Sequence, residues 1–323
     1  MALFDALIGK AMQKVEETLH SGFSDTQIEA QVNSLCLSII NAGGKRMRPA
    51  LVVLAAHLLP SYQDTDEDSV CKLAAAIELL HTATLIHDDV IDNSQMRRGH
   101  PTLNNTSGNH AAILAGDYMF TRCFSTIKEF NSTEVIALIS DTLATLVAGE
   151  LNQLKDEGDL NLKVEDYYTT IYSKTGALFE LSAAAAGVLL KEKSEYVSAL
   201  KNYGRHLGNA FQIIDDCLDY PADSKVLGKN AGEDLQDKRI TLPIILALQK
   251  CSQDEKDNLI LAIEQADLKQ VLHFINKFNT IAESKDLAHK SGEDAIAALN
   301  IFADSDFKSA LISLVHQALT RQN

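Results

Sequence analysis

LIHDDVID at residues 85–92 and QIIDDCLD at residues 212–219 carry the same pattern, an apolar run that closes on Asp-Asp-x-x-Asp. On an α-helix Asp88 and Asp92 lie one turn apart and about 40° from each other around the axis, so both carboxylates project from one face with Asp89 beside them. Three such charges within about 6 Å repel by about 2 to 3 kcal/mol per pair at an effective dielectric near 20. They also stand at a helix C-terminus, where the macrodipole disfavours anions. An acidic run at a helix end can be a solvated cap. Leu85, Ile86, Val90 and Ile91 around the first motif, and Phe211, Ile213, Ile214 and Leu218 around the second, instead imply buried helices. Two helices that accept both penalties predict a cation at each end, and oxygen-only ligands completed by water and phosphate select Mg²⁺ over a transition metal.

Outward from these motifs the chain keeps a helical rhythm. Apolar residues recur at three- and four-residue spacing, separated by short turns rich in Gly, Asn, Asp or Ser. The spacing predicts helices over residues 2–20, 25–41, 49–59, 66–92, 109–129, 133–156, 164–190 and 194–220, with shorter ones from 240 to 321. Pro49 suits a first helical turn, and Gly43 with Gly44 suits the end of the helix before it. With 5 Pro, 16 Gly, no Trp and frequent Ala and Leu, strands should be few or absent. No stretch reads as a linker and no repeat of 20 to 50 residues is visible. The 323 residues are therefore read as one domain, an all-α multi-helix bundle. Two polar loops, 93–108 and 221–239, directly follow the two aspartate helices, where a site is expected.

Composition excludes several classes. The formal charge is −15, from 29 basic and 44 acidic residues, which argues against broad nucleic-acid binding because a phosphate backbone is held chiefly by Lys and Arg. Cys36, Cys71, Cys123, Cys217 and Cys251 are odd in number and far apart, without a CxxC pair, and read as reduced and cytosolic. The longest apolar stretches span about ten residues, short of the roughly 20 needed to cross a bilayer, so no transmembrane segment is expected. Residues 1–18 carry charges throughout and do not read as a signal peptide.

A diphosphate bound through Mg²⁺ also needs cationic side chains. Gly44-Lys45-Arg46-Met47-Arg48-Pro49 sets three basic residues beside a helix N-terminus, a natural anion site. Arg97 and Arg98 begin five residues after Asp92, and planar guanidinium groups grip phosphate oxygens in pairs. Lys174-Thr175-Gly176 sits within a helical stretch, and Lys229 and Lys238 lie in the loop after the second motif. Each cluster alone is ordinary surface; the combination with two aspartate motifs is not.

With these residues in place the chain resembles the trans-polyprenyl diphosphate synthase family, most closely its bacterial octaprenyl members. The resemblance runs through GKRMRP (44–49), HTATLIHDDVIDNSQMRRGHPT (81–102), GDYMFTRCF (116–124), GELNQL (149–154), YSKTGALFE (172–180), FQIIDDCLDY (211–220) and GKNAGEDLQDKRITLP (228–243). It implies a single domain over residues 1–323, with an isoprenoid-synthase fold around a deep central cavity. By the same resemblance Asp88 and Asp92 bind Mg²⁺ on one side of an allylic diphosphate and Asp215 with Asp219 on the other, with three ions per site once substrate is bound. Arg97, Lys174, Thr175, Gln212, Lys229 and Lys238 are implied contacts of that diphosphate, while Lys45, Arg48, His81 and Arg98 resemble an isopentenyl diphosphate site. Asp88, Asp92, Lys174, Asp215 and Lys229 are the implied catalytic set. His81 has a plain alternative as a core histidine, and His87 is read as structural. Arg239-Ile240-Thr241 departs from the plainer polar link of many relatives.

The implied reaction is Mg²⁺-dependent: the allylic diphosphate ionises, isopentenyl diphosphate attacks the cation, and a proton is lost. Counting back one helical face from Asp88 gives Thr84, Leu80 and Ile77, about 6, 12 and 16 Å down the axis at 1.5 Å per residue. Ala83 and Thr84 are small, so the expected product exceeds C20, with C40 favoured. Relatives imply a cytoplasmic homodimer, through apolar helices such as 109–129, whose product passes to a membrane, a quinone side chain being one destination. Three rival readings share some of these features: a terpene cyclase, a metal phosphohydrolase built on His87-Asp88, and a helper subunit without activity. The first has no need of an isopentenyl site, the second needs further histidines, and the third would be expected to lose one aspartate motif.

Overall fold

The computed structural model describes residues 2–21, 23, 29–220 and 232–321. Among them the chain is helical almost throughout, as the apolar spacing predicts. In order the helices are α1 (Ala2–Ser21), α2 (Ala30–Asn41), α3 (Met47–Ala56), α4 (Glu67–Ile91), α5 (Leu103–Ser107), α6 (Asn109–Ile127), α7 (Thr133–Asp156), α8 (Val164–Ile171) and α9 (Ala177–Leu189). They continue with α10 (Ser194–Leu218), α11 (Glu233–Gln236), α12 (Leu242–Lys250), α13 (Gln253–Glu264), α14 (Leu268–Phe278), α15 (Thr280–Ala298) and α16 (Asp306–Thr320). The described strands are two antiparallel pairs of residues, β1 (Met96–Arg97) and β2 (His100–Pro101). They fold the first loop back beneath its own motif.

The chain divides into two compact units. The first comprises residues 1–140, 182–198 and 302–311. Its axis is α4, in which only Lys72 is exposed between Val70 and Ala83. Helices α1, α3 and α6 pack around it. Helix α4, with the turn before it, is long and apolar enough to cross a membrane, a longer apolar run than the ten residues read from sequence. Its surroundings explain that composition, since a helix apolar on every side is also what a protein core demands.

The second unit comprises residues 141–181, 199–301 and 312–323. Its core gathers on α12, where Leu242 to Leu248 are all buried, with α8, α14 and α15 packed against it. Capping sets where these helices begin. Ser252 and Glu255 form a reciprocal capping box at α13, and the Asp267 carboxylate accepts from the Gln270 backbone at 3.1 Å to start α14.

The run expected as one helix over 164–190 is interrupted. Tyr172–Gly176 forms a π-helical turn between α8 and α9, with the Ala177 N–H reaching back to the Tyr172 carbonyl. A π turn inserts one extra residue and rotates the helix beyond it, a device frequent at functional sites. The reason lies on α10, where Gly204 and Gly208 are one turn apart. A Cβ on Gly204 would fall 2.5 Å from the Phe179 carbonyl oxygen and 2.7 Å from Glu180 Cα, and one on Gly208 would fall 2.6 Å from Gly176 Cα. Two bare backbones thus meet where the interruption sits.

Replacing a mid-helix glycine by alanine ordinarily adds about 0.5 to 1 kcal/mol of stability. At Gly204 the backbone contact reverses that sign: Gly204→Ala is expected to lose about 1 to 3 kcal/mol, read as a lower urea midpoint. A gain in stability would refute the close approach.

Candidate active site

The first aspartate motif ends α4, and its three carboxylates divide their work by burial. Asp89 is buried, while Asp88 is half-buried and Asp92, the C-cap residue, is exposed. Asp89 Oδ1 accepts from Arg97 Nε at 2.7 Å. Its backbone carbonyl accepts from Ser94 N at 2.9 Å and Asn104 Nδ2 at 3.1 Å. The loop therefore folds around Asp89, and Arg97 is fixed relative to the motif rather than free on the surface. Burial pushes the Asp89 carboxyl above its ordinary range even with Arg97 opposing it.

The basic loop lies in the same unit. Its three cations do not act alike: Lys45 is exposed, but Arg46 turns inward in a left-handed conformation at φ 46°. Arg46 Nε meets Glu16 at 2.6 Å, Nη1 meets Glu78 at 3.2 Å, and Nη2 donates to the Ile40 carbonyl at 3.0 Å. Arg46 thus anchors the loop, and Lys45 stays exposed beside it. Arg98 Nη1 donates to the Gly43 carbonyl at 3.3 Å, and a Cβ on Gly44 would fall 2.7 Å from the same nitrogen. The Gly43-Gly44 pair therefore ends α2 and also seats Arg98 beside Lys45.

Arg48 Nη1 lies 3.0 Å from His81 Nε2. Burial, then Arg48, Arg98, Arg97 and Arg46, push the His81 pKa well below its ordinary value. The imidazole is therefore neutral near pH 7, with Nε2 accepting from Arg48 and the ring proton on Nδ1. His81 positions Arg48 whether or not it also touches a ligand. Burial lowers the Arg48 pKa to about 10, and Glu78 opposes that shift. The His87 ring fills the space above Gly116, where a Cβ would fall 2.3 Å from Nε2, and Nε2 lies 3.1 Å from the Ile113 carbonyl and 3.5 Å from Asp117 Oδ1.

The face counted back from Asp88 is less open than its small residues imply. Ile77, Leu80 and Ala83 have no exposed surface, and only Thr84 keeps any, with its hydroxyl bonded to the His81 carbonyl at 2.8 Å.

In the second unit the same division recurs. Asp216 is buried, Asp219 half-buried and Asp215 exposed. Asp216 Oδ2 accepts from the Tyr167 hydroxyl at 2.7 Å and Oδ1 from Gln212 Nε2 at 2.7 Å. Gln212 Oε1 in turn accepts from the Thr175 hydroxyl at 2.7 Å. Two expected ligand contacts, Thr175 and Gln212, are thereby strung on one chain that ends at the buried aspartate. Burial and the nearby Asp234 push Asp216 well above the usual carboxylate range. Burial and Asp219 likewise push Asp234 up, while Arg239, 3.6 Å away, opposes the shift. Arg239 is thus a clasp on this loop, with a second contact to Asp237 at 3.4 Å.

Asp219 caps the start of α11 in this conformation. Its Oδ1 accepts from the N–H groups of Gly232 and Glu233, each at 3.0 Å, and Oδ2 from Asp234 N at 3.2 Å. The π turn aims Lys174 at Glu150, 3.1 Å away. Lys174, Gln212, Asp216, Asp234 and Arg239 all line a cavity of about 120 Å³. Lys238 is exposed in a left-handed conformation at φ 56°, and Lys229 lies outside the described residues.

Among the described residues no three His, Cys, Asp or Glu side chains converge on one point, which leaves the phosphohydrolase reading without its histidines. Carboxylate oxygens suit a hard divalent cation whose remaining positions are filled by water and phosphate. Asp88 and Asp92, and Asp215 with Asp219, fit Mg²⁺ on those terms.

Sequence reasoning missed Glu78, Glu150, Tyr167, Asp234 and Arg321. Glu150 stands in GELNQL and Asp234 in GKNAGEDLQDKRITLP, so motif membership was the signal that could have found them. Nothing local marks Glu78 or Arg321, which depend on distant partners.

Comparison with known proteins is uniform. The family model described as polyprenyl synthetase matches residues 29–277. Octaprenyl diphosphate synthase of Escherichia coli is 39% identical over 302 residues, covering 92% of this chain and 91% of that protein. A decaprenyl diphosphate synthase from Rhodobacter capsulatus superposes with a TM-score of 0.92 at 31% identity, covering 99% of this chain and 98% of that one. A polyprenyl synthase from Caulobacter crescentus, in complex with calcium and isoprenyl diphosphate, superposes at 0.89 with 35% identity, covering 100% and 98%.

Glu78→Gln leaves Arg46 and Arg48 without their buried counter-charge. The expected cost is about 3 kcal/mol of folding free energy, measured by urea unfolding. A loss under about 0.5 kcal/mol, the level of an exposed pair, would show that Glu78 anchors nothing.

Proposed function

Because this chain belongs to the polyprenyl synthetase family, we propose that it is a long-chain trans-polyprenyl diphosphate synthase, with octaprenyl diphosphate its favoured product. It condenses isopentenyl diphosphate onto an allylic diphosphate such as farnesyl diphosphate. The observation that carries this reading is the first unit itself. The aspartates of α4 share it with a second anion site made of Lys45, Arg48 backed by neutral His81, and Arg98 seated on Gly43-Gly44. A terpene cyclase, which uses one diphosphate, has no need of that site. Both aspartate motifs are retained, unlike the pattern expected of a helper subunit.

Each buried middle aspartate holds the side chains around it: Asp89 fixes Arg97, and Asp216 fixes Gln212 and through it Thr175. These hold the allylic diphosphate with Lys174, Lys229 and Lys238. Arg48, Lys45 and Arg98 hold isopentenyl diphosphate so that its double bond meets the allylic carbon. When bound to Asp88, Asp92, Asp215 and Asp219, Mg²⁺ supplies charge neutralisation for the departing diphosphate, three ions per site being the expected number. No side chain needs to act as nucleophile: the basic side chains, with Mg²⁺ where bound, would stabilise the departing diphosphate, and the proton lost from the adduct would go to the released pyrophosphate.

A homodimer in the cytoplasm is part of the same proposal. Leu114 on α6 is 64% exposed, and on α7 Val147, Leu151 and Leu154 form an exposed stripe at helical spacing, with Leu151 at 63%. Apolar residues in such a row mark an interaction surface. The product, too apolar for water, would pass to a membrane, where a quinone ring is one acceptor.

Incubation with labelled isopentenyl diphosphate, farnesyl diphosphate and Mg²⁺, followed by product sizing, tests the reading. Products centred on C40 are expected; label left unincorporated refutes synthase activity, and a C15 or C20 limit refutes the chain length. Chelation should abolish turnover and Mg²⁺ restore it, while Asp88→Ala and Asp215→Ala should each lower kcat by about 10²- to 10³-fold. Since Ala83 is wholly buried, Thr84→Phe is the cleaner block on the tail and should shorten the product.

A further inference from the structure

Arg321 follows α16 and reaches the first aspartate of the second motif. Its Nη2 lies 3.0 Å from Asp215 Oδ1, and its guanidinium covers the Phe211 ring with Cζ 4.2 Å from the centroid. Phe211 stands one turn before Asp215 on α10, so ring and carboxylate share a helix face. The other arm of the fork differs: Arg321 Nη1 is buried and has no hydrogen-bond partner. Arginine side chains rarely leave a covered donor unmet, because burial removes the water that would otherwise satisfy it.

These facts describe an incomplete site. Asp215 is the aspartate of its motif that faces outward, and a divalent cation bound there would meet a guanidinium on the same oxygen. Two like charges on one carboxylate oxygen compete. A guanidinium displaced from Asp215 gains free donors beside the one already unmet, and the flat fork matches the paired oxygens of a phosphate. Phe211 provides a platform that keeps the group in place while its partner changes.

We propose that Arg321 is the resident counter-ion of the second aspartate motif: it holds Asp215 in the metal-free protein, yields that carboxylate to the divalent cation, and turns to a diphosphate oxygen. The proposal rests on the reading of Asp215 as a cation ligand. It assigns a role to a residue outside every motif of the sequence.

Mn²⁺ titration of the full-length protein followed by electron paramagnetic resonance, with and without inorganic pyrophosphate, tests it. The site in question is the one lost in Asp215→Asn. In Arg321→Gln that site should bind Mn²⁺ alone about tenfold more tightly, whereas pyrophosphate binding at saturating Mn²⁺ should weaken about tenfold, the scale of one charge-assisted hydrogen bond. A merely structural role would weaken both. Mn²⁺ affinity that is unchanged or weaker, or pyrophosphate affinity that is unchanged or tighter, overturns the proposal. Arg321→Lys keeps the charge without the fork, so it should retain the wild-type Mn²⁺ affinity and still lose pyrophosphate affinity; the reverse pattern also overturns it. A wild-type protein with no Mn²⁺ site sensitive to Asp215→Asn overturns the metal reading itself and this role with it.

Discussion

A carboxylate buried at the C-terminal end of a helix is the constraint on which the aspartate motif of each unit depends. Asp89 and Asp216 hold the middle positions of their motifs, and each is sealed in its own unit. Neighbouring residues on a helix point about 100° apart, so sealing the middle aspartate fixes the directions of the outer ones. The two burials are met differently. Asp89 has a cation, Arg97, whereas among the described residues Asp216 has the neutral donors Tyr167 and Gln212 and the opposing charge of Asp234. The second motif is therefore the more electrostatically loaded, and it is also where Arg321 stands.

The side chains proposed to hold ligands are themselves held by groups that need not touch one. Neutral His81 aims Arg48, Glu78 and Glu16 draw Arg46 inward, and Glu150 receives Lys174. An extra residue in the turn between α8 and α9 sets the direction of Lys174, and that turn is tolerated because α10 offers Gly208 where its backbone meets Gly176. Long cationic side chains lose much rotamer freedom when ordered. Holding them in place before a ligand arrives removes that loss from the binding step.

The helices and both motifs were legible in the sequence because their signals are local. Apolar spacing located α4, α6, α7 and α10 to within a few residues. The features that escaped need partners far along the chain. GKRMRP shows three adjacent cations, but only Glu16 and Glu78 reveal that Arg46 faces inward. QIIDDCLD shows Asp219 as an outer aspartate like Asp92, yet its carboxylate takes three amides of residues 232–234. The small residues before the first motif suggested an open path, whereas three of the four named there are packed without exposure. A side chain's size is written in the sequence; the closeness of its neighbours is not.

The net charge of −15 has to be reconciled with proposed substrates that are themselves anions. At long range such a protein repels a free diphosphate and attracts divalent cations. Within a Debye length, about 8 Å at physiological salt, the field is set by local groups. Near α4 these are Lys45, Arg48, Arg97 and Arg98 together with Asp88 and Asp92; near α10 they are Asp215 and Asp219, with Lys174 and Arg321 among them. The acidic surface thus favours a diphosphate already partly neutralised by metal over a bare one. An acidic protein with few, well-anchored cations is in this respect better suited to sorting two diphosphates than a broadly basic surface, which would hold either at any point.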